Sequence, residues 1–103
     1  MRGDVHRLRA PRERRGREQS GARFAVVVQS DLLPLSTLLV APTSTSAQPA
    51  TFRPEVEVLG QTTRVLVEQT VAVDPSRLGE RTGRLNLSEM QQVEASLRIV
   101  MGL

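Results

Sequence analysis

Phe24-Ala25-Val26-Val27-Val28 is an unbroken apolar run rich in β-branched residues, and a second one, Leu38-Leu39-Val40-Ala41, follows it with no helical periodicity between them. Continuous runs of this kind, bounded by turn residues, are the pattern of strands buried on both faces, and they are too short for core helices. The second run is entered through Pro34 and Ser36 and closed by Pro42, so it too reads as a central strand. Two central strands so close together constrain the chain to a sheet before any other feature is read.

The rest of the chain supplies shorter strands around them. Val5 and Leu8 bracket a first strand from Asp4 to Arg9. Pro11 to Ala22 holds one Pro, two Gly and four Arg with no large apolar residue, and reads as a long loop. Thr43 to Pro54, rich in Thr, Ser, Ala and Pro, reads as a second loop. Glu55-Val56-Glu57-Val58-Leu59 alternates charged and apolar side chains as a strand with one wet face does, and Gly60-Gln61 predicts a turn. Thr63 to Val67 and Thr70 to Val73 are expected to return as strands, ended by Asp74-Pro75-Ser76. Strands at this spacing, without helices between them, point to a small barrel rather than a doubly wound sheet.

Only the C-terminus is helical in pattern. Ser88 and Gln91 form a capping box, Met90, Val93, Leu97, Val100 and Met101 line one face, and Gly102 is placed to end the helix. The apolar stripe is expected to lie against the barrel. With 103 residues the chain predicts one domain over 1–103 and a modest core, for which a homodimer would hide further apolar surface.

Composition excludes several chemistries. There is no Cys, hence no disulfide framework, thiolate zinc site or thiol nucleophile. No apolar run approaches the roughly 20 residues of a membrane span, and Arg2, Asp4, Arg7 and Arg9 interrupt the place of a signal peptide's apolar region. A cytoplasmic protein is expected. His6, the lone His, has no companion ligand cluster and makes a poor metal site. All fourteen basic residues are Arg, and eight of them precede residue 24 against three acids, so that the front carries +5 and the remainder −2. Such asymmetry fits either an anionic partner or a solvated loop.

Four ordered segments resemble the MazF/PemK family of toxin endoribonucleases over nearly the whole chain. Arg2-Gly3-Asp4-Val5 is similar to the family's opening strand, and Glu18-Gln19-Ser20-Gly21-Ala22-Arg23-Phe24-Ala25-Val26-Val27-Val28 resembles its "SEQxGxRPxVV" signature. Val40-Ala41-Pro42-Thr43 is similar to the strand end that presents the family's catalytic Thr. Val67-Glu68-Gln69, then Asp74, Arg77-Leu78-Gly79 and a helix from Leu85 to Leu103, resemble its closing segment. Phe24 stands where the family has Pro, and Arg17 where many members have Ser, so a bulkier neighbour flanks Arg23.

The resemblance implies a mainly β (α+β) fold, a small SH3-like β-barrel with a C-terminal α-helix packed on it. It implies a toxin of a type II toxin-antitoxin system that cuts single-stranded RNA without metal or cofactor. The RNA 2′-hydroxyl is the nucleophile, leaving a 2′,3′-cyclic phosphate and a 5′-hydroxyl. Arg23 would stabilise charge on the phosphorane, because an arginine stays protonated and its donor fork matches phosphate oxygens. Thr43 would place a hydroxyl on the scissile phosphate, and Glu18 would border the site as a base or Arg partner. Arg12, Arg14, Arg15, Arg17, Gln19, Ser44 and Gln69 would bind RNA. With only Phe24 and Phe52 as aromatics, stacking cannot dominate, and four phosphate contacts would give a slope of about −3 in log K against log salt.

On bare residue type, Thr43 serves equally to satisfy a turn, Glu18 to pair with Arg15 or Arg17, and Gln69, taken as buried by its apolar neighbours, to satisfy the sheet. Implied partners are single-stranded RNA, a cognate antitoxin and a second copy of the chain. The competing readings on the same barrel are a gyrase-poisoning toxin without catalysis and a silent antitoxin-binding barrel.

Overall fold

Val26, whose side chain is wholly buried, marks the centre of the sheet. The structure, a computed structural model, describes residues 1–9 and 23–103. Its strands are β1 (Asp4–Leu8), β2 (Phe24–Val27), β3 (Leu38–Ser44), β4 (Glu55–Val58), β5 (Gln61–Val65), β6 (Val71–Val73) and β7 (Leu78–Arg84), followed by one helix, α1 (Leu87–Met101). The predicted loop Pro11–Ala22 lies outside the described residues.

The strands form a curled antiparallel half-barrel in the order β4-β5-β3-β2-β1-β7, with β6 paired to β3. The mainly β architecture with a C-terminal helix is thus as the sequence predicts. Both apolar runs are central strands, because Ala25 and Val27 face one side and Val26 and Val28 the other, all buried. On the helix side Val5, Val26, Val56, Val65, Val67 and Leu85 pack with Val93, joined by Met90 and Leu97. On the other side Val27, Val40 and Val73 form a smaller cluster covered by Leu8, Leu38 and Leu78.

Pro42 does not end its strand, contrary to the sequence reading. It lies inside β3 opposite Ala25, and its carbonyl accepts from the Leu66 N–H at 2.8 Å. In an antiparallel ladder one residue's N–H and C=O lie on the same edge. The missing N–H of Pro42 therefore falls on the edge where β6 pairs with Leu38–Val40 and β5 with Thr43–Ser44, in the gap between those partners. The predicted loop accordingly begins after Ser44.

Other boundaries differ for equally local reasons. The β4–β5 connection is Leu59-Gly60, both at positive φ as a two-residue type I′ turn requires, and Gln61 already belongs to β5. Val67–Gln69 is a 3-10 turn rather than the end of a strand. The capping box of α1 is formed by Asn86 and Glu89, two residues before the predicted pair. The Asn86 side chain accepts from Glu89 N–H at 2.7 Å while Glu89 Oε1 accepts from Asn86 N–H at 2.9 Å. Gly102 ends the helix at φ 73° as predicted. Val100 and Met101 are exposed, so the packed stripe stops one turn early.

β7 has no counterpart in the sequence reading. Leu78-Gly79-Glu80-Arg81-Thr82-Gly83-Arg84 alternates no apolar face and becomes a strand by pairing its edge with β1 through two register shifts. Asp4 anchors that edge, with Oδ1 3.1 Å from Arg81 Nε and 3.6 Å from Arg84 Nη1. Burial opposes ionisation of its carboxyl, yet hydrogen bonds from the N-terminal amine and Arg81 outweigh this and hold it below the usual carboxylate range.

Candidate functional site

β2 and β3 pair Ala25 with Pro42, Val26 with Ala41 and Val27 with Val40. Continuing that register brings Phe24 beside Thr43 and the Arg23 backbone beside Ser44, at the end of both strands. The Thr43 hydroxyl donates to the Phe24 carbonyl at 3.3 Å, which agrees with that placement. Arg23 is exposed, and its carbonyl accepts from the Leu8 N–H at 2.8 Å, which ties its backbone to β1. Among the described residues its guanidinium has no carboxylate partner. A cation left unpaired at a strand end can meet a phosphate without first breaking an ion pair.

The two hydroxyls at the end of β3 have different surroundings. Thr43 is 7% exposed, with its hydroxyl turned to the sheet. Ser44 is half-buried, and its Oγ accepts from the Ser46 N–H at 3.2 Å. Its own proton remains available to Ser46 Oγ, at 3.2 Å, or to another acceptor.

Ser44 pairs across β5 with Arg64, and Arg64 with Glu55 of β4, so these three side chains leave the sheet on one face. Arg64 is held by Glu55 Oε2 at 3.0 Å and by the Arg53 carbonyl at 2.9 Å. Arg53 in turn places Nε and Nη2 on Glu68 Oε2 at 2.9 and 2.7 Å, leaving buried Glu68 Oε1 without a partner. Sequence reasoning missed Arg64 and Arg53. The alternation of Thr63, Arg64 and Val65 sets Arg64 on the face away from the core, but only strand pairing puts it beside Ser44. A cavity of about 400 Å³ opens where Arg53, Glu55 and Arg64 meet Gln92, Ser96 and Ile99 of α1.

The other expected residues divide. Gln69 is exposed on the 3-10 turn and not buried as the sequence suggested, because the chain leaves the sheet after Val65. Glu18, Gln19, Arg12, Arg14, Arg15 and Arg17 lie outside the described residues. His6 is half-buried with Nδ1 3.0 Å from the Gly79 carbonyl, and no three His, Asp or Glu among the described residues converge as metal ligands would. No helix among the described residues is long and apolar enough to cross a membrane.

A family model described as PemK-like, MazF-like toxin of type II toxin-antitoxin system matches residues 1–101. A protein of Mycobacterium tuberculosis (strain ATCC 25618 / H37Rv) provisionally named toxin Rv3098A is 42% identical over 104 residues, covering 100% of this chain and 98% of its own length. Among solved structures, an endoribonuclease in complex with its cognate antitoxin from Mycobacterial species superimposes with a TM-score of 0.82 at 16% identity, covering 100% of this chain and 95% of that one. The Mycobacterium tuberculosis toxin MazF-mt6 gives 0.78 at 18% identity, with 97% of each chain covered. MazF from Deinococcus radiodurans gives 0.78 at 22% identity, covering 99% of this chain and 96% of its own. At such identities the structural likenesses bear on the fold alone, whereas the family match spans both the β2–β3 strand end and α1. This chain belongs to the PemK-like, MazF-like toxins of type II toxin-antitoxin systems.

Proposed function

We propose that the chain is a metal-independent, sequence-selective endoribonuclease acting on single-stranded RNA. The observation that carries the reading is the juxtaposition at the β2–β3 end of an exposed Arg23, free of a carboxylate among the described residues, with the accessible hydroxyl of Ser44. In the reaction the RNA 2′-oxygen bonds to the adjacent phosphorus, the bond to the 5′-oxygen breaks, and the proton lost by the 2′-hydroxyl is balanced by one gained at the leaving oxygen. Negative charge grows on the non-bridging oxygens, and Arg23 meets it with parallel N–H donors. Thr43 braces the strand end and Ser44 donates to the phosphate. Glu18 is the base or the partner of Arg23, and Gln19, Gln69 and the loop arginines Arg12, Arg14, Arg15 and Arg17 hold the strand.

Two further partners belong to this reading. A neighbour of the same fold is named as an endoribonuclease in complex with its cognate antitoxin, and a small antitoxin covering the Arg23 site would be its counterpart here. Leu33 and Leu35 in the segment before β3, Leu39 of β3 and Val71 of β6 are exposed, apolar surface of the kind a second copy of the chain would bury. The setting is cytoplasmic, where RNA and antitoxin are both present.

The test is cleavage of a long single-stranded RNA in EDTA by wild type and Arg23→Ala, with end-group analysis. Selective cuts bearing 5′-hydroxyl ends, reduced about 100-fold or more in the variant, support the mechanism. No cleavage across varied RNAs, with DNA supercoiling inhibited instead, turns the reading to a gyrase poison; loss of both activities turns it to a silent barrel.

A further inference from the structure

The ten described arginines divide by how their charge is met. Arg2, Arg53, Arg64, Arg81 and Arg84 each have a carboxylate within 4 Å, whereas Arg7, Arg9, Arg23, Arg77 and Arg98 have none among the described residues. Arg98 stands in the last turns of α1, where a cation complements the helix dipole. The other four lie at one end of the sheet: Arg7, Arg9 and Arg77 come together on the Phe24 face, and Arg23, in register with Leu8, leaves the sheet on the opposite face. Arg7 pairs with Phe24, Leu8 N–H binds the Arg23 carbonyl, and Arg9 N–H binds the Arg77 carbonyl at 2.8 Å.

Their orientation comes from neutral groups. The Arg7 guanidinium lies over the Phe24 ring, 5.3 Å from its centroid. Arg9 donates Nη1 to the Ser76 carbonyl at 2.8 Å, and Arg77 donates Nε to the Arg9 carbonyl at 2.7 Å. Gly79 lies beside the Arg7 and Arg9 side chains, where a Cβ would be in ordinary contact with Arg7 Cβ at 3.4 Å and Arg9 Nε at 3.7 Å. The neighbouring acids turn elsewhere or outward: Asp74 accepts from the Ser76 N–H, and Glu80 is exposed on β7. Carbonyls and a π face fix a guanidinium without cancelling its charge, and the mutual repulsion of like charges so placed is relieved by a polyanion.

We propose that Arg7, Arg9 and Arg77 form a phosphate track on the Phe24 face of the β1–β2 end, opposite the face that Arg23 shares with Leu8, and that it holds the backbone of an RNA passing over the strand end from the scissile phosphate. The inference rests on the nuclease reading for its ligand. Arg9 follows directly on the end of β1, two residues beyond Arg7 and about 6.6 Å further along an extended backbone, so the two engage successive points of an extended chain. An arginine fork on a phosphodiester reads no base, so the track supplies affinity and register and leaves sequence choice to the loops.

The test is fluorescence anisotropy with a fluorescein-labelled, fully 2′-O-methylated 16-mer RNA, which cannot be cut, between 50 and 300 mM KCl. Wild type, Arg7→Gln/Arg9→Gln and Arg98→Gln are compared, with melting curves to establish folding and Arg77→Lys as a milder variant retaining charge. The double variant is expected to bind about tenfold more weakly at 100 mM KCl and to lose about 1.4 from the salt slope, two phosphate contacts at roughly 0.7 each. Arg98→Gln, which removes a charge from another part of the molecule, is expected to stay within about twofold, and Arg77→Lys between the two. Equal weakening by Arg98→Gln, an unchanged slope in a folded double variant, or no binding by wild type overturns the track. So does loss of polyglutamate binding with RNA binding intact, which gives the cluster to an acidic protein partner. Track-dependent binding without cleavage of unmodified RNA leaves the track standing and removes the nuclease reading; cleavage with binding indifferent to Arg7 and Arg9 does the reverse.

Discussion

The Thr43 hydroxyl donates to the Phe24 carbonyl at 3.3 Å, while the adjacent Ser44 Oγ accepts from the Ser46 N–H and keeps its own proton to give. Two neighbouring hydroxyls at one strand end thus have different work. Ser44→Ala is expected to lower RNA cleavage by about 100-fold with little change in melting temperature, as loss of a transition-state donor does. Thr43→Val is expected to cost about 1 kcal/mol of stability and to change cleavage far less. Single-turnover rates and melting curves on the two variants check this, and a reversed pattern gives the phosphate contact to Thr43.

Asn86 and Ser88 offer a direct comparison at the start of α1. The cap is Asn86, whose side chain accepts from the Glu89 N–H, whereas Ser88 is exposed within the first turn. Asn86→Ala is expected to cost about 1 kcal/mol in urea unfolding, and Ser88→Ala to be neutral or slightly stabilising.

Leu59 sits at φ 53°, a left-handed conformation that costs an L residue with a branched chain roughly 1–2 kcal/mol. Its side chain is 65% exposed, so little packing offsets the strain. Leu59→Asn is expected to raise stability by about 1 kcal/mol and the melting temperature by about 4–8 °C, measured calorimetrically.

Asp4 has a carboxyl pKa below its ordinary value of 3.8, set by burial working against, and the N-terminal amine and Arg81 working for, the charged form. A depressed folded-state pKa stabilises the fold at pH values above the unfolded pKa, and that contribution disappears as pH falls through the folded one. Asp4→Asn is therefore expected to lower stability by about 1 kcal/mol near neutrality, a modest figure because Arg81 and Arg84 are half-exposed and screened. The difference between wild type and variant in urea unfolding is expected to shrink below pH 3.8 and vanish in stronger acid. A difference that persists there assigns the effect to packing.

How much of this was legible beforehand varies with how local the deciding interaction is. The runs Phe24–Val28 and Leu38–Ala41 read as central strands because β-branched apolar residues in sequence have only a two-faced core to enter. The C-terminal helix was legible from its stripe, yet its cap was misplaced: Ser88 with Gln91 and Asn86 with Glu89 have the same spacing, and Leu87 enters the helix despite being exposed. β7 was invisible, since its residues carry no alternation and its strand form comes from the backbone edge of β1.

For the site, residue type and order singled out Arg23, Thr43 and Ser44 and tied them to one family. Which hydroxyl faces the solvent depends on the handing of β3 from β6 to β5 around Pro42, a matter of pairing between segments about 20 to 35 residues apart. The same holds for charge. Sequence alone determined that the front of the chain is basic and that two apolar strands form its centre, because composition and periodicity are properties of consecutive residues. Only tertiary structure decided which arginines are neutralised, by setting Asp4, Glu55, Glu68 and Glu94 beside five of them while carbonyls and a phenyl ring orient three of the others; an ion pair is a distance, and distances between strands are fixed by the fold.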